Sequence, residues 1–176
     1  SRGAHEARSL AGFLSYVGIP VKTATSATFG TKEWNKILEI AKKKSDVNYV
    51  SYWRSWAPGT IPPLAGEANK ELGVDFQPAQ VSLLGVWDTV PGSSFKEFGI
   101  CKERPDGKDG DRYKSDSYPS IRSIAHAVAI DEKRNKFKPI LLCQANYPSD
   151  NSLKPNLIEK WFPGAHADVG GGYSDG

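Results

Sequence analysis

The stretch VSLLGVWDTV occupies residues 81–90, and the part before its aspartate is almost entirely apolar. An apolar run of this length predicts a strand that is buried on both faces, as strands of parallel sheets are. Asp88 follows the run directly. Because sites in open α/β sheets form at the carboxyl ends of strands, Asp88 is a candidate functional residue.

The flanking sequence predicts two more strands, at 138–147 and 157–162, and several helices. Strands that alternate with helices indicate an α/β fold with a mostly parallel sheet and helices on both faces. The predicted helices cover 2–17, 31–44, 64–73 and 120–134. Spacings of three and four predict their inward residues: Ala4, Ala7, Leu10, Ala11, Leu14 and Val17; Trp34, Ile37, Leu38 and Ala41; and Ile121, Ile124, Ala125 and Val128. His126 is then a packed or hydrogen-bonded residue of the last helix.

Composition excludes several classes of function. The 176 residues suit one domain, and 39% apolar with 24% charged residues is globular. The net charge is +3, and the basic residues are scattered along the chain apart from a lysine run at 42–44, so no nucleic-acid partner is indicated. No apolar stretch approaches the roughly 20 residues that span a bilayer. Residues 102–118 are charged and turn-rich and predict an exposed insertion. Their aspartates lack the spacing of a calcium loop, and no metal or cofactor is predicted.

Three potential catalytic side chains occur in the chain order Ser1, Asp88, His166, which is the order of α/β-hydrolases. Ser1-Arg2-Gly3 retains the second half of the G-x-S-x-G nucleophile turn. In this interpretation Ser1 is the nucleophile, His166 is the general base and Asp88 orients the imidazole. The backbone N–H of Arg2, at a helix N-terminus, would stabilise an oxyanion. Asp168 is the alternative acid, which could instead cap its own loop.

Four sequence blocks, SRGAHEARSLAGFL, LLGVWDTV, HAVAIDEKRNKFKP and WFPGAHADVGGGY, together resemble the DUF2235 family. That family includes phospholipase effectors of bacterial type VI secretion. The resemblance implies an α/β-hydrolase with a triad formed by Ser1, Asp88 and His166, acting on a phospholipid or another ester. It also implies a bacterial protein, either secreted into the periplasm of a target cell or cytoplasmic, and a membrane surface as a possible partner.

The Gly-Phe that precedes the serine in the family is absent here, as is everything upstream. We therefore expect residues 1–176 to form the C-terminal part of a hydrolase core. A complementing upstream segment would supply the missing strands and the second oxyanion donor.

Two other functions remain open from the sequence. Ser1 could be the nucleophile of an N-terminal-nucleophile hydrolase, with its own α-amino group as the base. The chain could also be a non-catalytic fragment or binding module. The aromatic stretch at 49–56 is expected to form a surface loop, and its Trp53 could line an acyl-chain site or belong to the core. Tyr173 could close its turn or touch substrate.

Overall fold

The computed structural model of the chain describes residues 2–21, 31–44, 50–90, 118–142 and 148–172. The helices are α1 (Arg2–Val17), α2 (Thr31–Lys44), α3 (Val50–Arg54), α4 (Ala65–Leu72) and α5 (His166–Gly170), with single 3-10 turns at Asn135–Phe137 and Asn151–Leu153. The strands are β1 (Ile19–Pro20), β2 (Phe76–Gln77), β3 (Leu84–Trp87), β4 (Ser123–Ala129) and β5 (Asn156–Phe162).

A parallel sheet of three strands carries the candidate site. Its order is β3-β4-β5, and both pairs are parallel. The register places Val86, His126 and Glu159 side by side across the sheet. The strands predicted at 81–87 and 157–162 are therefore confirmed, and all three carboxyl ends lie at one edge. A short antiparallel pair, β1 with β2, lies apart from this sheet.

The helix predicted at 120–134 is wrong, because residues 123–129 form the central strand β4. The apolar residues of this segment fit a helical spacing, but Ile124, His126 and Val128 also alternate with a period of two. In the structure these three side chains are buried, whereas Ala125 and Ala127 are half-buried. A polar histidine at an inward position concealed the strand pattern.

Helix α1 has the predicted bounds, and most of its predicted inward face is confirmed: Ala4, Ala11 and Val17 are buried, and Ala7 and Leu14 are half-buried. Leu10, predicted inward, is exposed. The buried side chains that follow one face are Ala4, Arg8, Ala11 and Ser15. Ala4 and Ala11 share one apolar cluster with residues of β3 and β4, so small residues bring α1 close to the sheet.

Gly18 ends α1 with a φ of 86° and donates its N–H to Leu14 O at 2.8 Å. A side chain at Gly18 would collide with the carbonyl oxygen of Gln77, which explains why glycine stands there.

A second core lies between α1, α2, α3 and α4. The stretch predicted as a surface loop at 49–56 includes helix α3, and Trp53 and Trp56 are buried in this core. The ring of Trp53 packs edge-on against Tyr16 and tilted against Tyr118. Burying each such side chain contributes on the order of 1.5–3 kcal/mol. Trp53 therefore stabilises the core and does not line a surface.

The two faces of the parallel sheet differ in the described part of the chain. Helix α1 covers the face that carries Leu84 and Val86. On the opposite face Trp87, Ile158 and Phe162 are exposed among the described parts of the chain. Strand β3 was expected to be buried on both faces, but Leu84 and Val86 are buried whereas Gly85 and Trp87 are exposed.

The remaining predictions concern the connections. A strand was predicted at 138–147. Its residues 138–142 pair with no strand, and residues 143–147 lie outside the described residues. The predicted insertion at 102–118 also lies outside them, except Tyr118, which is buried. Within the described ranges, none of the helices combines the length and the apolar character needed to cross a membrane.

Candidate active site

Asp88 and His166 meet at the carboxyl edge of the sheet. Asp88 follows β3, and His166 is the first residue of α5, which begins shortly after β5. The Nδ1 atom of His166 lies 2.5 Å from Oδ2 of Asp88. The side chain of Asp88 is fully buried and that of His166 is 12% exposed. Two of the three residues that the sequence singled out are thus in hydrogen-bond contact. His166 starts the short helix α5.

The backbone fixes the direction of the Asp88 carboxylate. Asp88 donates its N–H to Ala127 O at 2.7 Å, and its Oδ1 accepts the N–H of Ala129 at 2.9 Å. The second oxygen, Oδ2, is thereby directed at His166. An ionised carboxylate can only accept, so the ring donates from Nδ1, and Nε2 of the neutral imidazole is left as a base.

Asp88 has a φ of 39°, the single positive value among the described non-glycine residues. Aspartate and asparagine tolerate this region better than most residues. Such a conformation persists only where surrounding contacts hold it, and it is common at functional sites.

Two consecutive carboxylates after β4 hold the segment that leads to His166. Oδ2 of Asp131 accepts the N–H of Gly164 at 2.7 Å, and Asp131 donates its own N–H to Gly164 O at 3.1 Å. Oε2 of Glu132 accepts the N–H of His166 at 3.2 Å. The backbone around the imidazole is therefore tied to the central strand of the sheet.

Asp168 caps the helix that His166 begins. Its Oδ2 accepts the N–H of Ala165 at 2.7 Å, so it adopts the capping alternative and does not pair with the imidazole. Gly164 has a φ of 111°, and a Cβ there would lie 2.7 Å from Cβ of Asp168. Glycine is thus required at this turn.

Arg134 and Phe137 lie beside the imidazole. Nε and Nη2 of Arg134 donate to the two oxygens of Glu132 at 2.9 and 2.7 Å. The guanidinium carbon lies 4.0 Å from the centre of the Phe137 ring, within range of a cation–π contact. The Phe137 ring is in turn 5.1 Å from the His166 ring, between centroids. These successive contacts, from Glu132 through Arg134 to Phe137, place a held ring beside the imidazole and limit its motion.

The sequence prediction did not assign these residues a role. The helix predicted at 120–134 contains Asp131, Glu132 and Arg134 near its end, without a function. The one signal available was that they belong to a block, HAVAIDEKRNKFKP, that carries the family resemblance. Asp131 and Glu132 accept from backbone N–H groups more than 30 residues away, those of Gly164 and His166, and side-chain patterns carry no information about such partners.

Hydrogen bonds from the Arg134 side chain, with further bonds from the N–H groups of Arg134 and His166, lower the pKa of Glu132 from 4.5 to about 2. A carboxyl group whose pKa is lower in the folded state stabilises the fold above its unfolded pKa, and this contribution is lost as the pH falls through the folded value. We expect Glu132→Gln to lower the free energy of unfolding at neutral pH. The deficit should shrink between pH 4.5 and about pH 2.

Urea unfolding at several pH values measures this difference. Glu71→Gln, the same change at an exposed position of α4, is the control and should leave the free energy of unfolding nearly unchanged. A Glu132→Gln deficit that is the same at all pH values would contradict the assigned role of the charge.

The other predicted site residues lie as follows. Ser1 and Tyr173 fall outside the described residues. Arg2 is the first residue of α1, where N–H groups have no partner within the helix. Ala4, in the first turn of α1, shares a buried cluster with Val86, two residues before Asp88. Trp53 lies in the second core, as described above.

Comparison with known proteins identifies one family. The family model described as T6SS, Phospholipase effector Tle1-like, catalytic domain matches residues 1–176. Neither a curated protein nor a solved structure matches the chain. The resemblance to phospholipase effectors that four sequence blocks predicted is thereby confirmed.

Proposed function

This chain belongs to the family of T6SS phospholipase effector catalytic domains of the Tle1-like type, and from this premise we propose that it is a serine hydrolase. A T6SS effector is a bacterial protein delivered to target cells, and a phospholipase acts on lipid. The proposed reaction is cleavage of a carboxylic ester bond in a glycerophospholipid by Ser1, His166 and Asp88. The α/β-hydrolase arrangement, with residues 1–176 as part of the catalytic domain, belongs to the same proposal.

The buried hydrogen bond between His166 Nδ1 and Asp88 Oδ2, at 2.5 Å, supports this proposal best. A catalytic triad requires this contact, in which a carboxylate orients the imidazole that acts as the base, and it lies at the sheet edge where hydrolase sites form. In triad chemistry the carboxylate holds the tautomer of the base and compensates the charge that forms as the base takes the proton of the nucleophile.

In the proposed mechanism, Ser1 Oγ attacks the ester carbonyl while His166 Nε2 takes the serine proton. The carbonyl oxygen becomes an oxyanion, to which the N–H of Arg2 would donate. The intermediate collapses, the ester C–O bond breaks, and the imidazolium gives its proton to the leaving alcohol of the lysophospholipid. Water then attacks the acyl-enzyme with His166 again as the base, and a fatty acid is released.

A fluorophosphonate probe tests this proposal together with a lipid assay. We expect a purified protein that includes the upstream hydrolase segment to release fatty acid from vesicles of a diacyl glycerophospholipid, and to lose that activity as the probe reacts. Peptide mass spectrometry should locate the adduct on Ser1. An adduct on another serine would contradict the assigned nucleophile, and a protein with neither adduct nor fatty-acid release would favour a non-catalytic binding module.

The N-terminal-nucleophile alternative gains no support from the fold. That chemistry is usually carried by stacked antiparallel sheets, whereas the sheet here is parallel and a helix begins at Arg2. Intact-mass analysis distinguishes the two functions, because an N-terminal nucleophile requires processing to a free Ser1 amine.

A further inference from the structure

His126 lies at the centre of the parallel sheet, and both of its ring nitrogens are bonded. The residue is buried in β4, between Val86 and Glu159 in register. Its Nε2 accepts the N–H of Thr89 at 3.1 Å. Its Nδ1 lies 2.9 Å from Oε2 of Glu159. One imidazole therefore connects the residue next to Asp88 with a carboxylate on β5.

The donors and acceptors around the ring define its tautomer. Thr89 N–H can only donate, so Nε2 must be the acceptor and the ring proton is on Nδ1. Burial raises the pKa of Glu159, but hydrogen bonds from His126 and from the N–H of Leu142, with the positive charge of Arg8, outweigh it and leave the pKa lowered. An ionised Glu159 that accepts from Nδ1 is consistent with this tautomer.

The other side of Thr89 is also held. Its carbonyl accepts the N–H of Ile140 at 2.7 Å. The buried guanidinium of Arg8 donates to the carbonyls of Ile140 and Leu141 at 2.6 and 3.1 Å. The turn that Asp88 and Thr89 form is thus fixed by α1, by β4 and by the segment before 142.

This arrangement matters because Asp88 has a positive φ. A strained backbone conformation relaxes unless contacts with the surrounding residues hold it in place. Loss of the acceptor for the buried Thr89 N–H would leave that group unsatisfied and favour rotation of the turn. Rotation there would move the carboxylate away from Nδ1 of His166.

We propose that His126 is a positioning residue of the reaction, which holds the turn at Thr89 and so directs the Asp88 carboxylate at His166. The inference rests on the proposed function, since it assigns a role within the same site. His126 does not touch the reacting atoms and acts only through the Asp88–Thr89 turn.

Two substitutions separate the two bonds of the ring. In His126→Gln the amide oxygen can occupy the position of Nε2 and accept from Thr89, while the bond to Glu159 is lost. In His126→Asn the amide nitrogen can occupy the position of Nδ1 and donate to Glu159, while the acceptor for Thr89 is lost. Each variant loses one hydrogen bond, a buried one in His126→Asn and a partly buried one in His126→Gln, so both should be less stable than the native protein.

The two variants are expected to differ in activity. The native protein and both variants are assayed on a short-chain chromogenic ester and on phospholipid vesicles, with active sites counted by fluorophosphonate. We expect His126→Asn to lower kcat by about 10²-fold with little change in KM, the effect of misplacing a catalytic group by about 1 Å. His126→Gln should retain kcat close to the native value. If the Asn variant does not fold, His126→Leu, which offers no acceptor, is expected to show the same loss.

Each outcome bears on a different claim. Equal losses of kcat in the Gln variant and in the acceptor-less variant would overturn the inference, because a purely structural histidine predicts equal effects. Full activity in the folded Asn or Leu variant would also overturn it. A native protein that cleaves no ester would overturn the proposed function, and the inference with it.

Discussion

His166→Asn is expected to lower kcat for ester hydrolysis by about 10⁶-fold, the loss that removal of the base causes in a serine protease triad. The asparagine amide nitrogen can reach the position of Nδ1 and still donate to Asp88 Oδ2, which lies 2.5 Å from Nδ1 in the native site. The buried carboxylate therefore keeps a partner, and folding should be retained. The variant lacks any atom in place of Nε2, so the serine proton has no acceptor.

The measurement is kcat together with the rate of fluorophosphonate labelling, and both should fall. Circular dichroism and the thermal transition check that the variant is folded. A folded His166→Asn protein with substantial esterase activity would show that another group removes the proton. The reaction would then need a different base, and the site proposed here would be wrong.

Much of the sheet that positions Asp88 and His166 can be predicted from the sequence. The apolar run before Asp88 and the stretch before Pro163 both predict strands, and parallel strands bring their carboxyl ends to one edge. The spacing of apolar residues predicts the helix that begins at Arg2 with its observed bounds. The proximity of Asp88 and His166 could therefore be expected from topology alone.

The central strand could not be predicted in the same way, because its inward positions include a histidine. A polar residue buried in a sheet is stable only if its hydrogen bonds are satisfied, and the partners of His126 are Thr89 and Glu159, each more than 30 residues away. Neither local propensity nor periodicity carries that information. Two residues of α1 depart from the predicted pattern for a related reason. Leu10, predicted inward, is exposed, whereas Arg8 is buried and donates to the carbonyl of Ile140 in a distant segment.

The contacts that position His166 could not be predicted from the sequence either. Asp131 and Glu132 hold backbone N–H groups of Gly164 and His166, and any residue except proline could supply those donors. Only the fold brings these groups together.

Asp88→Asn is expected to lower kcat by about 10⁴-fold while the fold is retained, the effect of this change in a serine protease triad. Asparagine tolerates the positive φ of 39° at this position, and its amide oxygen can still accept the N–H of Ala129. The amide NH₂ group then faces Nδ1 of His166. Because this group donates, Nδ1 must become the acceptor and the ring proton moves to Nε2. The imidazole can no longer take the proton of Ser1.

The pH dependence of the remaining activity and the labelling rate measure this effect, and Asp75→Asn is the matched control. Asp75 is exposed, and its Oδ1 accepts from Asn69 Nδ2 at 2.7 Å, a bond that an amide oxygen can also accept. The control should retain native kcat, since it makes the same chemical change away from the candidate site. Equal activity in the two variants would mean that Asp88 fills only a structural role at the end of its strand. A loss confined to a folded Asp88→Asn protein, with the activity shifted in its pH dependence, is the result expected if the carboxylate orients the imidazole, because Asp88 faces His166 whereas Asp75 faces Asn69.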